Sequence, residues 1–196
     1  MTTFRLVAAV LSAAAITACG TPPPAPVQQA TPTTTTTADV PGADPVAWFE
    51  AYCGPMGVAE IARRDIQGKA AQGMGAVKTA VVGWASTAAA SDRMIADGLE
   101  KLGPLGSDVQ NPHERLIKAV RERAKGFDDA FTRLNALAAD DVFPERYEQV
   151  MASSGTSAGR ENADLMFKQI VETPKYTAAF RSNKVCTDWQ ALAGAK

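Results

Sequence analysis

Residues 77–102 read VKTAVVGWASTAAASDRMIADGLEKL. Val77, Val81, Trp84, Ala88, Ser91, Ile95, Gly98 and Leu102 recur at alternating steps of four and three. That spacing places all eight on one face of a long α-helix. Alanine, the strongest helix former, fills much of the remainder. GPLG at 103–106 ends the run, and no stretch of the chain shows the alternation of a half-buried strand. The class this predicts is all-α.

Working outward, residues 111–134 predict a second long helix. Asn111 is placed as its N-cap, Pro112 at the first helical position, and Glu114 as the returning member of a capping box. Leu116, Val120, Phe127, Phe131 and Leu134 line one side. Two long helices with a short connection make an antiparallel pair. Upstream, Asp44-Pro45 opens another helix by the same cap logic, with Val46, Phe49 and Cys53 on one face and the Gly54-Pro55 pair as its expected stop. Downstream come shorter pieces: FPERYEQVM, RENADLMFKQIV, KYTAAFRS and a last turn around CTDWQAL. Residues 44–196, about 150 in number, have the size of one domain. The expectation is a single helical bundle with a long antiparallel pair and shorter flanking helices. Gly68, Gly73, Gly75 and Gly83 weaken helix propensity and mark close packing, a frayed helix start, or a groove for an apolar ligand.

The region before residue 44 is of another kind. The chain starts MTTFR and continues LVAAVLSAAAIT over 6–17, a singly positive segment before about a dozen apolar residues. That run is too short to span a bilayer, which takes roughly 20 residues, and has the form of a secretory signal peptide. It closes on Ile16-Thr17-Ala18-Cys19, which resembles the lipobox of bacterial lipoproteins. The resemblance implies removal of residues 1–18 and a diacylglyceryl thioether on Cys19, which becomes the first residue of the mature protein. Two acyl chains hold a chain firmly at a membrane, where a single chain binds only marginally. Residues 20–42, GTPPPAPVQQATPTTTTTADVPG, are too rich in Pro and Thr to bury a core. Residues 19–43 therefore read as a lipidated stalk, extended where prolines favour polyproline II, with threonines that suit O-glycosylation. The Ala-, Thr- and Pro-rich style is similar to actinobacterial lipoproteins, which implies the outer face of the cell membrane. In a diderm host of proteobacterial type, Gly20 implies the outer membrane.

The chain holds three cysteines. With Cys19 given to lipid, Cys53 and Cys186 remain, and an even pair in an exported domain reads as a disulfide tying the first helix to the last.

Catalytic signatures are weak. GTSAG at 155–159 matches G-x-S-x-G, but no strand precedes Ser157, and His113, the single histidine, lies upstream. The expectation is a polar loop there, with no catalytic residue. Neither a metal site nor a cofactor motif is expected. The adjacent carboxylates Asp128-Asp129 and Asp140-Asp141 diverge on a helix. Lys118, Arg121 and Lys125 share a face diluted by Glu114 and Glu122, and the net charge of −1 gives no pull toward nucleic acid. Three classes of function follow. The first is a non-catalytic envelope module that binds a protein, a wall polymer or a lipid. The second is a carrier of an apolar ligand or lipid in an inter-helix cavity near Trp84. The third, and least supported, is a hydrolase through Ser157.

Overall fold

The structure is a computed structural model that describes residues 42–194. Cys19, the leader and nearly all of the stalk lie outside the described residues. The described chain is all-α, with seven helices and no strand: α1 (Pro45–Gln67), α2 (Met74–Leu102), α3 (Gln110–Ala136), α4 (Phe143–Ser153), α5 (Thr156–Glu172), α6 (Pro174–Ser182) and α7 (Lys184–Gly194). The pair α2–α3 forms the predicted long hairpin. On it, α1 packs against α2, and α5 packs against α3.

α1 begins as its sequence dictates. Asp44 Oδ1 accepts the Ala47 amide at 2.8 Å, and Pro45 occupies the first turn, where no amide is missed. Gly54-Pro55 does not stop it. The helix runs on to Gln67 with Pro55 inside. An interior proline costs about 3 kcal/mol, so tertiary contacts must offset it. They are visible on either side. Cys53 is disulfide-bonded to Cys186, with Cα atoms 4.9 Å apart, and α7 lies against the glycines that follow. A Cβ at Gly54 would sit 3.8 Å from Val185, and one at Gly57 would sit 4.0 Å from the Trp189 side chain. The predicted last turn is thus a full helix. Asn183 caps it by accepting the Cys186 amide, and its side chain also donates to the Val46 carbonyl of α1.

Gly68 closes α1, and Gly73, at φ 89°, opens α2 after a 3-10 turn over Ala70–Gln72. These two glycines mark helix ends. Gly75 and Gly83 have no atom within 4 Å of a would-be Cβ, so close packing is not their role. They face a shallow groove between α1 and α2. Gly98 is where α1 and α2 approach closely, with Ala51 3.3 Å from its would-be Cβ.

α3 starts one residue before the expected cap. A 3-10 turn over Ser107–Val109 runs into it and buries Val109, so the helix is anchored from upstream. Asn111 therefore lies inside the helix and caps nothing. Glu114 instead accepts a hydrogen bond from Gln110. Two residues placed on the apolar faces are largely open to solvent: Val46 at 52% and Phe131 at 37%.

The core has two parts. The larger joins α1, α5, α6 and α7 to the far end of the hairpin, and it is aromatic. Tyr52 stacks on Phe167 at 3.9 Å between centroids, and Trp48, Phe49 and Phe180 close around them. The smaller lies between α2, α3 and α4, around Val81, Ala85, Phe127, Leu134 and Phe143.

Candidate functional site: a cleft at Trp84

Both long helices pass through the seam between the two cores, and each carries a charge there. On α2, Asp92 falls between Ala89 of the smaller core and Ile95 of the larger. On α3, Arg123 falls between Val120 and Phe127 in the same way. The two meet in a bidentate pair, with Arg123 Nη2 donating to Oδ1 at 2.6 Å and Nε to Oδ2 at 2.8 Å. Both residues are nearly inaccessible, at 2% and 3%. Burial raises the pKa of the Asp92 carboxyl, opposed by the guanidinium, and pushes the neighbouring Tyr52 hydroxyl well up.

Two glycines place this pair. A Cβ at Gly159 would lie 2.9 Å from Arg123 Cβ, and one at Gly126 would lie 2.7 Å from the Ser154 carbonyl. α5 and the turn before it can therefore press onto α3 beside Arg123. That turn carries Gly155 at φ 80°, a left-handed conformation that favours glycine.

Above the pair lies a cleft made of two adjoining hollows of about 360 and 100 Å³. Both hollows share Trp84, Arg123, Phe127 and Arg160. The floor is α2 and α3, where Trp84 and Phe127 meet edge to face at 5.3 Å. One wall is the second half of α1, from Met56 to Arg63, and the other is α4 with the first turn of α5. The charges of the lining sort themselves. Asp92 is paired with Arg123, and Glu60 takes both ends of Arg63 at 2.6 and 2.9 Å. Arg160 and Glu148 remain. Both are exposed; Arg160 shares α5 with Asp164, one turn on, whose carboxyl pKa burial raises and the charges of Arg123 and Arg160 oppose.

Ser157 lies at this cleft, exposed on the first turn of α5. GTSAG is thus the start of a helix rather than the expected polar loop. His113 lines a different groove, beside Lys118 and Arg121. It is buried, and its Nδ1 accepts the Trp48 indole N–H at 3.3 Å. Burial lowers its pKa, with Glu114 opposing, which keeps the imidazole neutral.

The other singled-out charges have local partners. Asp128 binds Arg93, Asp129 binds Arg133, and Asp140 binds Arg146. On the basic face, Arg121 is held by Glu100 and Asp97, and Lys118 lies 3.9 Å from Glu122. Among the described residues no group of three or more His, Cys, Asp or Glu gathers as a metal site, and no helix is long and apolar enough to cross a membrane.

Of the site, the sequence reading placed Trp84 and Ser157 but missed Asp92 and Arg123. Their signal was present: each charge sits in register with an apolar stripe, Asp92 between Ala88 and Ile95, Arg123 between Val120 and Phe127. No protein-family model matches the chain, and no curated protein or solved structure matches it.

Proposed function

We propose that the chain is a lipid-anchored, extracytoplasmic envelope protein whose helical domain is a non-catalytic binding module, with the Trp84 cleft as its binding surface. The observation that carries this reading is the cleft itself. Its larger hollow, about 360 Å³, falls within the range of about 300–1,000 Å³ typical of small-molecule sites. Its lining sets Trp84, Phe127, Tyr147 and Met151 beside the polar side chains of Glu148, Thr156, Ser157 and Arg160, which can fix a ligand's orientation. Two features support the address. The buried Cys53–Cys186 bridge suits an oxidising compartment. The lipobox-like Ile16-Thr17-Ala18-Cys19 suits an acyl anchor on the outer face of the cell membrane, or on the outer membrane in a diderm of proteobacterial type.

A second reading, carriage of an apolar ligand or lipid, uses the same cleft. It is favoured by the side-by-side placement of Trp84, Phe127 and Met151 in one hollow. The hydrolase reading gains little from position. Ser157 is exposed, but the single histidine lines another groove and its Nδ1 is already bonded to Trp48.

Native mass spectrometry tests the binding reading. Protein released gently from its own envelope is compared with an Ala152→Trp variant, in which an exposed alanine of the lining is enlarged to fill the hollow. A discrete adduct on the wild type that is lost from the variant is the expected result. Identical spectra for the two proteins contradict the reading.

A further inference from the structure

We propose that the Trp84 cleft takes a zwitterionic single-chain amphiphile, with its apolar chain over Trp84, Phe127 and Met151, its anionic group on Arg160 and its cationic group on Glu148. The inference rests on the reading of the cleft as the binding surface and names the ligand class.

Most charges of the lining are already paired. Asp92 and Arg123 neutralise one another below the cleft, and Glu60 and Arg63 do so on the α1 wall. What the lining still offers a ligand is one cation and one anion, Arg160 on α5, whose charged neighbour Asp164 lies outside the lining, and Glu148 on α4. An anionic amphiphile would satisfy Arg160 and confront Glu148. A cationic one would do the reverse. A head that carries both charges meets both residues. The guanidinium fork matches the paired oxygens of a phosphate or carboxylate. The aromatic ring of Tyr147, next to Glu148 in the lining of the same hollow, suits an ammonium group.

The remaining lining sets the body of the ligand. Trp84, Phe127, Met151 and Ala152 are apolar, and methionine adapts to irregular chains. The hollow is concave and bounded on two sides by helices, which fits one chain drawn out of water rather than a flat bilayer surface.

The full-length protein carrying Cys19→Ser, with the Cys53–Cys186 bridge oxidised, is dialysed to equilibrium against four dodecyl probes below their micellar concentrations: dodecylphosphocholine, dodecyl phosphate, dodecyltrimethylammonium and dodecanol. Dodecylphosphocholine is expected to bind about tenfold more tightly than either singly charged probe, the worth of one hydrogen bond to a charged group. Arg160→Gln should cost that probe about tenfold while leaving dodecyltrimethylammonium no weaker. Glu148→Gln should strengthen dodecyl phosphate. Both substituted residues are exposed, so the fold is not at stake, and matching helical circular dichroism checks it. If all four probes bind alike, are blocked by Ala152→Trp and ignore both charge variants, the zwitterion assignment falls and the cleft reading stands. If binding persists through Ala152→Trp, both fall. Sedimentation with phosphatidylcholine vesicles in the absence of any monomer uptake also overturns the proposal, because it marks surface docking instead.

Discussion

Replacing Asp92 with leucine removes the carboxylate that is hydrogen-bonded to the Arg123 guanidinium, which is 3% exposed. The groups that remain compensate poorly: the Met56 sulfur at 3.4 Å, the Tyr52 hydroxyl, which burial keeps protonated, and Asp164, whose charge acts on Arg123 without a hydrogen bond to it. Breaking a buried pair in this way costs about 3–5 kcal/mol, because one charge stays desolvated and unpaired. Against a total stability of roughly 5–15 kcal/mol, that is a large fraction. For a domain of this size it corresponds to a fall in Tm of roughly 6–20 °C. Burial raises the pKa of the Asp92 carboxyl, and at Arg123 burial lowers the pKa while the bond to Asp92 raises it, so desolvation and attraction oppose one another in this pair. Removing both charges together removes both desolvation costs, and Asp92→Leu combined with Arg123→Met should recover most of the loss. Urea denaturation of the wild type, both single variants and the double variant closes the cycle. The half-exposed Arg93–Asp128 pair is an internal control, and Asp128→Asn should cost no more than about 1 kcal/mol. An Asp92→Leu cost as small as that control, or a double variant as unstable as the sum of the singles, would refute the reasoning.

Four further outcomes are expected. The Cys53–Cys186 bridge closes a separation of 133 residues, and the chain-entropy relation gives about 5 kcal/mol for it, so Cys53→Ala with Cys186→Ala should lower stability by up to about that amount; non-reducing peptide mapping should recover one linked pair, and two peptides alkylated without reduction would count against it. Burial depresses the folded-state pKa of His113 below its ordinary 6.5, so its contribution is present above pH 6.5 and is lost as pH falls through the folded value; stability measured from pH 7 downward should drop, and His113→Gln should flatten that limb. Cys19→Ala should abolish fatty-acid labelling and detergent-phase partitioning, and labelling that persists in the variant would exclude this anchor site. A fluorophosphonate probe should leave Ser157 unmodified in the disulfide-intact protein, whereas stoichiometric labelling lost in Ser157→Ala would move the protein to the hydrolases.

The long hairpin was legible because its information is periodic and local. Val81, Ala88, Ile95 and Leu116, Val120, Leu134 repeat at helical spacing, and burial followed the repeat. The Asp44-Pro45 start was legible for the same reason, since a cap is written within four residues. Pro55 was misread because the forces that keep α1 continuous through it come from α7, about 130 residues away, and from the bridge that holds α7 there. Asn111 was misread because a buried Val109 set the helix start before the cap motif had any effect. The cleft was half legible. Trp84 announced an aromatic at the right place, but Asp92 and Arg123 lie on different helices, and their pairing depends on how α2 and α3 align. Arg160 and Glu148 stand out only once every other charge of the lining has found its partner.

The most direct test of the cleft as binding surface uses its own tryptophan. The chain has three: Trp48 is fully buried in the aromatic core, Trp189 on α7 packs against Tyr52 and Phe167, and Trp84 lines the cleft. Indole N–H resonances of ¹⁵N-labelled protein, recorded as purified from its native host and again after delipidation, separate the three sites. The account predicts that the Trp84 resonance moves while those of Trp48 and Trp189 stay in place. A Trp84 resonance that stays fixed while either of the others moves would contradict it.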